Sequence, residues 1–344
     1  MKNIYLDLAA RIRKKERVAL AVILETKGSA PQGAGAAAIF SPRKLVAGTI
    51  GGGWLEADVF QKAADALREG GGPLIATCSL RGEDVEGREP ICGGEVRILI
   101  DPAPERNSGA FFDLADSLGR GGQGVLATSI AGTRSGKIVL IRNWIPVESL
   151  TSSDREIKAV LADGRARPAK VRPSVFLEPV FPPARLIIAG AGHIGRAVAH
   201  LGRLLDFDVT VIDDRREFAN KKNLPDADHI VCREIDPTLG ETPLDGKAYV
   251  VIVTRGHQKD TEALRACVNS GAGYIGMIGS RSKIALQRRE FIARKWATAG
   301  AFDRVHAPIG LPIRSETVQE IAVSIAAELV LARRRNADRK GEAG

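Results

Sequence analysis

The segment RLIIAGAGHIGRAVAHLGRLLDFDVTVIDDR, residues 185–215, limits the folds open to this chain more than any other stretch. An apolar run over 185–189 feeds directly into Gly190, Gly192 and Gly195 in the spacing G-x-G-x-x-G. A helical pattern follows over 194–205, and a second apolar run, 209–212, ends on Asp213. Strand, glycine turn, helix, strand and terminal acid, in that order, give this spacing its meaning as a dinucleotide-binding βαβ unit. Each glycine has its own task. Gly190 makes the turn, Gly192 removes the Cβ that would hold a phosphate off the backbone, and Gly195 lets helix and strand pack closely. The helix N-terminus adds amides and a positive dipole end. Asp213 is expected to accept hydrogen bonds from ribose hydroxyls, with Asp214 the neighbouring alternative and Arg215 close behind. His193, inside the loop, either contacts a phosphate, acts as acid or base, or stands as an exposed loop side chain.

Downstream, strand patterns at 249–253 and 274–278 alternate with helical ones near 260–270 and 283–299. Thr317-x-x-Glu320 reads as a capping box opening a last helix, with Val318, Ile321, Ala322, Ile325 and Leu329 on its apolar face. Such alternation predicts an α/β fold with a Rossmann-like, doubly wound parallel sheet over 184–344. The rigid turn Phe181-Pro182-Pro183 precedes it. Residues 1–180 mix strands at 18–24, 36–40, 74–79 and 96–100 with helices at 4–15 and 54–68, an N-terminal α+β domain. Between 110 and 180 the pattern is weaker, with a helix near 111–118 and short strands near 125–130, 137–142 and 175–178.

A chain of 344 residues suits two domains. Its net charge of +9 is scattered, apart from the run Arg333–Arg335 followed by Arg339 and Lys340, which fits a solvated helix end. Nucleic acid is therefore set aside as a partner, while a basic surface suits an anionic phosphorylated ligand. No apolar run approaches membrane-spanning length, and the N-terminus lacks a secretory h-region, so a cytoplasmic protein is expected. Cys78, Cys92, Cys232 and Cys267 are widely spaced, which excludes a disulfide framework, a zinc site and an iron–sulfur centre built from clustered thiolates.

Candidate chemistry gathers at glycine loops. Thr254–Asp260, TRGHQKD, leaves a strand where ligands bind such sheets, which makes His257 a candidate acid or base. Asp260 fits a first-turn helix carboxylate better. In IGSRSK, residues 278–283, Ser280 and Arg281 at a helix start make an anion site or an ordinary basic loop. Gly51, Gly52 and Gly53 precede the Trp54 helix as a second anion cradle, with Glu56 placed to cap the helix or meet a ligand amine. On these residues alone an NAD-dependent oxidoreductase using His257 or His193 remains open.

The motifs occur in a combination that resembles the XdhC/CoxI family of xanthine dehydrogenase accessory proteins. The matching segments are GSAP at 28–31, GTIGGGWLEADV at 48–59, ICGG at 91–94 and GAGHIG at 190–195. TRGH at 254–257, YIGMIGSRSK at 274–283, APIGLPI at 307–313 and EIAVSIAAE at 320–328 continue the match. Gln32 stands where the family usually has arginine, Pro90 where it usually has methionine, and Val318 where it tends to have proline. The resemblance implies a chaperone that binds the molybdenum cofactor (molybdopterin), assists its sulfuration and delivers it to an apo molybdenum hydroxylase of the xanthine dehydrogenase type. It also implies a homodimer and contact with a cysteine desulfurase. Cys92 then becomes the soft thiolate for molybdenum or a transferable sulfur, and Gly51–Gly53 the cradle for the pterin phosphate. A ligand pocket built from Gly51–Gly53, Cys92, the Gly190 loop and His257 is the resulting expectation. The Rossmann pocket would take NAD, a dinucleotide form of the cofactor, or nothing. The remaining cysteines are expected in the core.

Overall fold

The structure, a computed structural model, describes residues 4–80, 93–131, 135–141, 154–163, 167–168 and 175–342. The chain divides into two compact units, one spanning Met1–Pro182 and one spanning Pro183–Arg339.

The first unit opens with α1 (Ile4–Arg13), β1 (Ala19–Lys27), β2 (Ala37–Phe40), β3 (Leu45–Gly48) and α2 (Gly53–Glu69). It continues through β4 (Leu74–Ser79), β5 (Glu95–Asp101) and α3 (Ser108–Gly119). Then come β6 (Gly124–Ser129), β7 (Ile138–Ile141), α4 (Asp154–Asp163), β8 (Arg167–Pro168) and β9 (Val175–Val180). Two antiparallel sheets result, in the orders β3-β2-β1-β5-β4 and β7-β6-β9-β8. Strand β1 explains why its sequence is apolar without alternation: both faces are covered. Leu20, Val22 and Leu24 pack with Tyr5 and Leu8 of α1 and with Phe111 and Leu114 of α3. Ala19, Ala21 and Ile23 pack on the opposite side with Leu55, Val59 and Leu67 of α2. Phe176 and Leu126 of the second sheet close the α1–α3 layer from its far side. Val125 and Leu177 face α4 with Ile157 and Val160.

A polar bond joins α1 to the second sheet. Tyr5 Oη donates to Glu178 Oε2 at 2.5 Å. Burial pushes the Glu178 carboxyl up to about 7 from 4.5, against the lowering effect of the tyrosine bond. A raised folded-state value means the protonated acid is favoured in the fold, so stability is greatest below the ordinary carboxyl range and falls as pH rises towards 7. Glu178→Gln is expected to abolish that pH dependence, worth on the order of 3 kcal/mol across the interval. Urea denaturation of both proteins at intervals between acid and neutral pH checks it; equal slopes for variant and wild type would contradict it.

The second unit contains β10 (Arg185–Ala189), α5 (His193–Leu204), β11 (Asp208–Ile212), β12 (His229–Val231), α6 (Ile235–Glu241) and β13 (Ala248–Ile252). After these follow α7 (His257–Cys267), β14 (Tyr274–Met277), α8 (Arg281–Ala293), α9 (Ala299–Asp303) and α10 (Val318–Glu342). All five strands are parallel, in the order β12-β11-β10-β13-β14. Helices cover both faces. Leu186, Ile188 and Val251 pack under α5 and α10, while Ile187, Val250 and Ile252 pack under α6, α7 and α8. This is the doubly wound Rossmann-like architecture, following an N-terminal α+β unit in the chain.

Two local expectations need correction. Residues 283–299 form two helices rather than one: α8 stops at Ala293, Lys295 turns through φ 57°, and Thr298 caps α9 by accepting from Ala301 N at 3.1 Å. Helix α7 starts at His257, three residues early, because Gly256 with φ 96° supplies its cap.

Candidate functional site

In the first unit three motif loops meet. Gly51, Gly52 and Gly53 lie in succession at φ 128°, 72° and 57°, a path that only glycines follow without strain. A Cβ at Gly51 would come within 2.8 Å of Pro31 Cβ, whereas at Gly52 or Gly53 it would meet open space. The triplet therefore lies against the GSAP loop on one side and leaves its backbone accessible at the other two glycines. A Cβ at Gly28 would sit 3.4 Å from Gly93 O, and at Gly94 it would overlap the backbone of Ser29. The backbone that leaves Cys92 thus runs directly over the start of the GSAP loop. Cys92 itself lies outside the described residues, and so does its expected role as a metal ligand. Glu56, from the first turn of α2, folds back on the triplet: its Oε2 accepts from Thr49 Oγ1 at 2.7 Å and from Ile50 N at 3.3 Å. It fixes the loop.

In the second unit the parallel register carries Gly190, Asp213, Thr254 and Ile278 to one edge, the carboxyl end of the sheet, where doubly wound folds take ligands. Gly190 has φ 113°, and a Cβ there would press on Val253 O at 2.5 Å. A Cβ at Gly195 would overlap Gly190 O, while at Gly192, the residue before α5, nothing lies within 4 Å. Gly190 and Gly195 are consequently demanded by packing, and Gly192 alone borders empty space.

Asp213 follows β11 at the carboxyl edge of the sheet, and its carboxylate is engaged within the chain. It is 1% exposed. Its Oδ2 accepts from Ala191 N at 2.7 Å and from Arg215 Nη2 at 2.9 Å, and its Oδ1 from Arg215 N and Nε. Burial would raise this carboxyl, but the Arg215 and backbone bonds together outweigh burial and hold it below its ordinary range. Asp213 thereby ties the glycine loop to β11, and Arg215 is stacked over the Phe218 ring at 3.9 Å. Asp214 pairs with Arg255 of the TRGH loop, Nη2 to Oδ2 at 3.1 Å, and its Oδ1 lies 4.0 Å from Arg215 Nε.

The histidines are exposed: His193 is the first residue of α5 and His257 the first of α7. Asp260 is buried and accepts from Thr254 N at 3.1 Å and Thr254 Oγ1 at 2.7 Å, a structural role that shapes the loop carrying His257. Ser280 caps α8, and Arg281 begins that helix exposed to solvent. Cys78 and Cys267 are buried; burial and the bond to Asp58 push the Cys78 thiol up to about 11, and burial pushes Cys267 to about 12. Cys232, expected in the core, is exposed, because β12 ends at Val231 and leaves it beyond the sheet edge. Among the described residues no three His, Cys, Asp or Glu side chains form a metal-holding group, and no helix is long and apolar enough to cross a membrane.

A network missed from sequence supports the APIGLPI loop. Glu328 of α10 accepts from Tyr274 Oη at 2.7 Å, Gly310 N at 2.7 Å and His306 Nδ1 at 2.9 Å. The available signal was a carboxylate beside Ile325 and Leu329 on an otherwise apolar helix face.

Residues 186–329 match the family model described as the XdhC Rossmann domain, and residues 11–77 match the XdhC and CoxI family. A Bacillus subtilis (strain 168) protein, named as one subunit of a probable xanthine dehydrogenase, is 25% identical over 343 residues, covering 97% of this chain and 99% of its own length. YqeB, an uncharacterised protein of Escherichia coli K12, is 25% identical over 329 residues; these are 95% of this chain but 46% of YqeB, so the chain spans about half of that relative. A crystal structure of a Bacillus halodurans protein described as a xanthine dehydrogenase superposes with a TM-score of 0.81 at 25% identity, over 97% of this chain and 96% of that one. Matched in its N-terminal and its Rossmann segments by the two models of one family, the chain belongs to the XdhC and CoxI family.

Proposed function

We propose that this chain carries the molybdenum cofactor as cargo, supports its sulfuration, and passes it to an apo molybdenum hydroxylase of the xanthine dehydrogenase type. The observation that carries this reading is the meeting of three loops in the first unit: Pro31 against Gly51, and Gly28–Ser29 against Gly93–Gly94, with Gly52 and Gly53 left open. Open, left-handed glycine backbone beside the chain that leaves a cysteine is suited to a bulky anionic guest with a thiophilic metal. The pterin phosphate would lie on the amides of Gly51–Gly53, and Cys92 would offer its thiolate to molybdenum. Sulfur would come from a cysteine desulfurase, the second partner in this reading, and the chain would work as a cytoplasmic homodimer. The names of the relatives, which speak of xanthine dehydrogenase, fit a protein that serves such an enzyme.

The glycine loop of the second unit is the natural seat for a second phosphate, at Gly192. The NAD-dependent oxidoreductase reading is weaker on the same geometry, since a ribose would have to displace Arg215 from both oxygens of Asp213. Titration of the full chain with isolated molybdenum cofactor, followed by pterin absorbance, tests the proposal. Cys92→Ser is expected to weaken binding by about tenfold or more. Turnover of NAD that is indifferent to Cys92, with no cofactor bound, would overturn it.

A further inference from the structure

A second concave site lies on the flank of α5. This cleft of about 470 Å³ is bounded by His193, Arg196 and His200 from α5, by Asn223 and Asp226 from the loop before β12, and by Gln319 at the start of α10. Its size falls in the range of small-molecule sites, roughly 300–1,000 Å³. Positions 193, 196 and 200 project from one side of a helix at 3.6 residues per turn, so the three nitrogen-bearing side chains face the cleft together. Arg196 is exposed and has no ion pair among the described residues. The one carboxylate in the lining, Asp226, is engaged: its Oδ2 lies 2.9 Å from His200 Nδ1. That contact orients the imidazole and leaves Nε2 as its second polar atom. Ala197, Leu224, Pro225 and Val318 complete the wall with apolar surface.

We infer that this cleft binds a small organic anion, its charged group on Arg196 and its apolar body against Pro225 and Val318. The guanidinium offers a planar fork to a phosphate or carboxylate, His193 and His200 flank it, and the exposed amide of Gln319 can satisfy a further oxygen, while that of Asn223 is held by Glu217 O at 2.6 Å. An apolar body distinguishes such a ligand from inorganic phosphate, which would leave that wall wetted and gain nothing from it. The site shares only His193 with the glycine loop, so it goes beyond the cofactor reading and can stand or fall separately.

Calorimetric titration of the full chain with phenyl phosphate, benzoate and inorganic phosphate tests it. At least one of the two aromatic anions is expected to bind about tenfold more tightly than inorganic phosphate, and Arg196→Glu to weaken that binding by about tenfold or more. Which aromatic anion binds tells a phosphate ester from a carboxylate. Arg196 is exposed, so its replacement is compatible with folding; His200→Gln, which retains a polar side chain beside Asp226, serves as a second variant and is expected to weaken binding severalfold. Absence of aromatic-anion binding at about 5 mM would overturn the inference. So would binding that both cleft variants leave intact, or binding that is lost in Gly192→Val but kept in Arg196→Glu.

Discussion

Glu328→Ala is expected to destabilise the second unit by about 3–5 kcal/mol, among the largest effects of any single change in the chain. The carboxylate accepts from the Tyr274 hydroxyl, the Gly310 amide and His306, and its side chain is only 13% exposed. Alanine leaves the buried Tyr274 hydroxyl and the Gly310 amide facing a gap, whereas His306, 37% exposed, can turn to water; each unsatisfied donor costs about 1–3 kcal/mol. The loop held by Gly310 also pairs with β14, Ile309 N donating to Met277 O at 3.0 Å, so its loosening exposes the sheet edge. Burial would raise the Glu328 carboxyl, but the bonds from His306, Tyr274 and Gly310 prevail and hold it below its ordinary range. A lowered folded-state value means that this stabilisation is complete above the unfolded carboxyl range and is lost as acid protonates the folded group. Glu328→Gln should therefore lose stability at neutral pH and lack the wild-type loss through that acid interval. Chemical denaturation against pH checks both statements; an alanine variant as stable as wild type would contradict them.

Gly195→Ala is expected to prevent the second unit from folding normally, at a cost of about 3 kcal/mol or more, although it adds one methyl group. That methyl would overlap Gly190 O, and Gly190 cannot retreat. Its amide donates to Ile212 O at 2.8 Å, and a turn at φ 113° fixes its path beside Val253. Gly192→Ala is the control. With φ −69° and nothing within 4 Å of the added carbon, the fold should tolerate it, and only ligands that approach that backbone should be affected. Thermal unfolding and circular dichroism separate the two. Equal stability for both variants would show that the loop packs otherwise.

Much of the second unit was legible because its elements are long, periodic and punctuated. The β10–α5–β11 segment satisfies local rules at every step, and Thr317–Glu320 forms the expected capping box, Glu320 N to Thr317 Oγ1 at 3.2 Å and Thr317 N to Glu320 Oε2 at 3.0 Å. What escaped was decided by distant partners. Asp213 occupies the expected position for a ribose contact, but no local pattern announces that Arg215 will fold back onto it. Strand β12 and helix α6 have too few apolar residues to show a period, and with them went the exposure of Cys232. In the first unit most strands could be read, but not the short β3 (Leu45–Gly48) and β8 (Arg167–Pro168), and the order of the strands could not. The sandwiching of α1 and α3 between two sheets depends on Leu126 and Phe176, in the stretch where the local signal is faint. The contact between the GSAP and GGG loops is a matter of tertiary approach, visible only when Pro31 and Gly51 are seen side by side.

The most direct measurement is native mass spectrometry of this chain after exposure to isolated molybdenum cofactor and NAD together. A pterin adduct that diminishes in Cys92→Ser is the expected result. An NAD adduct with no pterin bound, unchanged by that substitution, would contradict the proposal that this chain carries the cofactor.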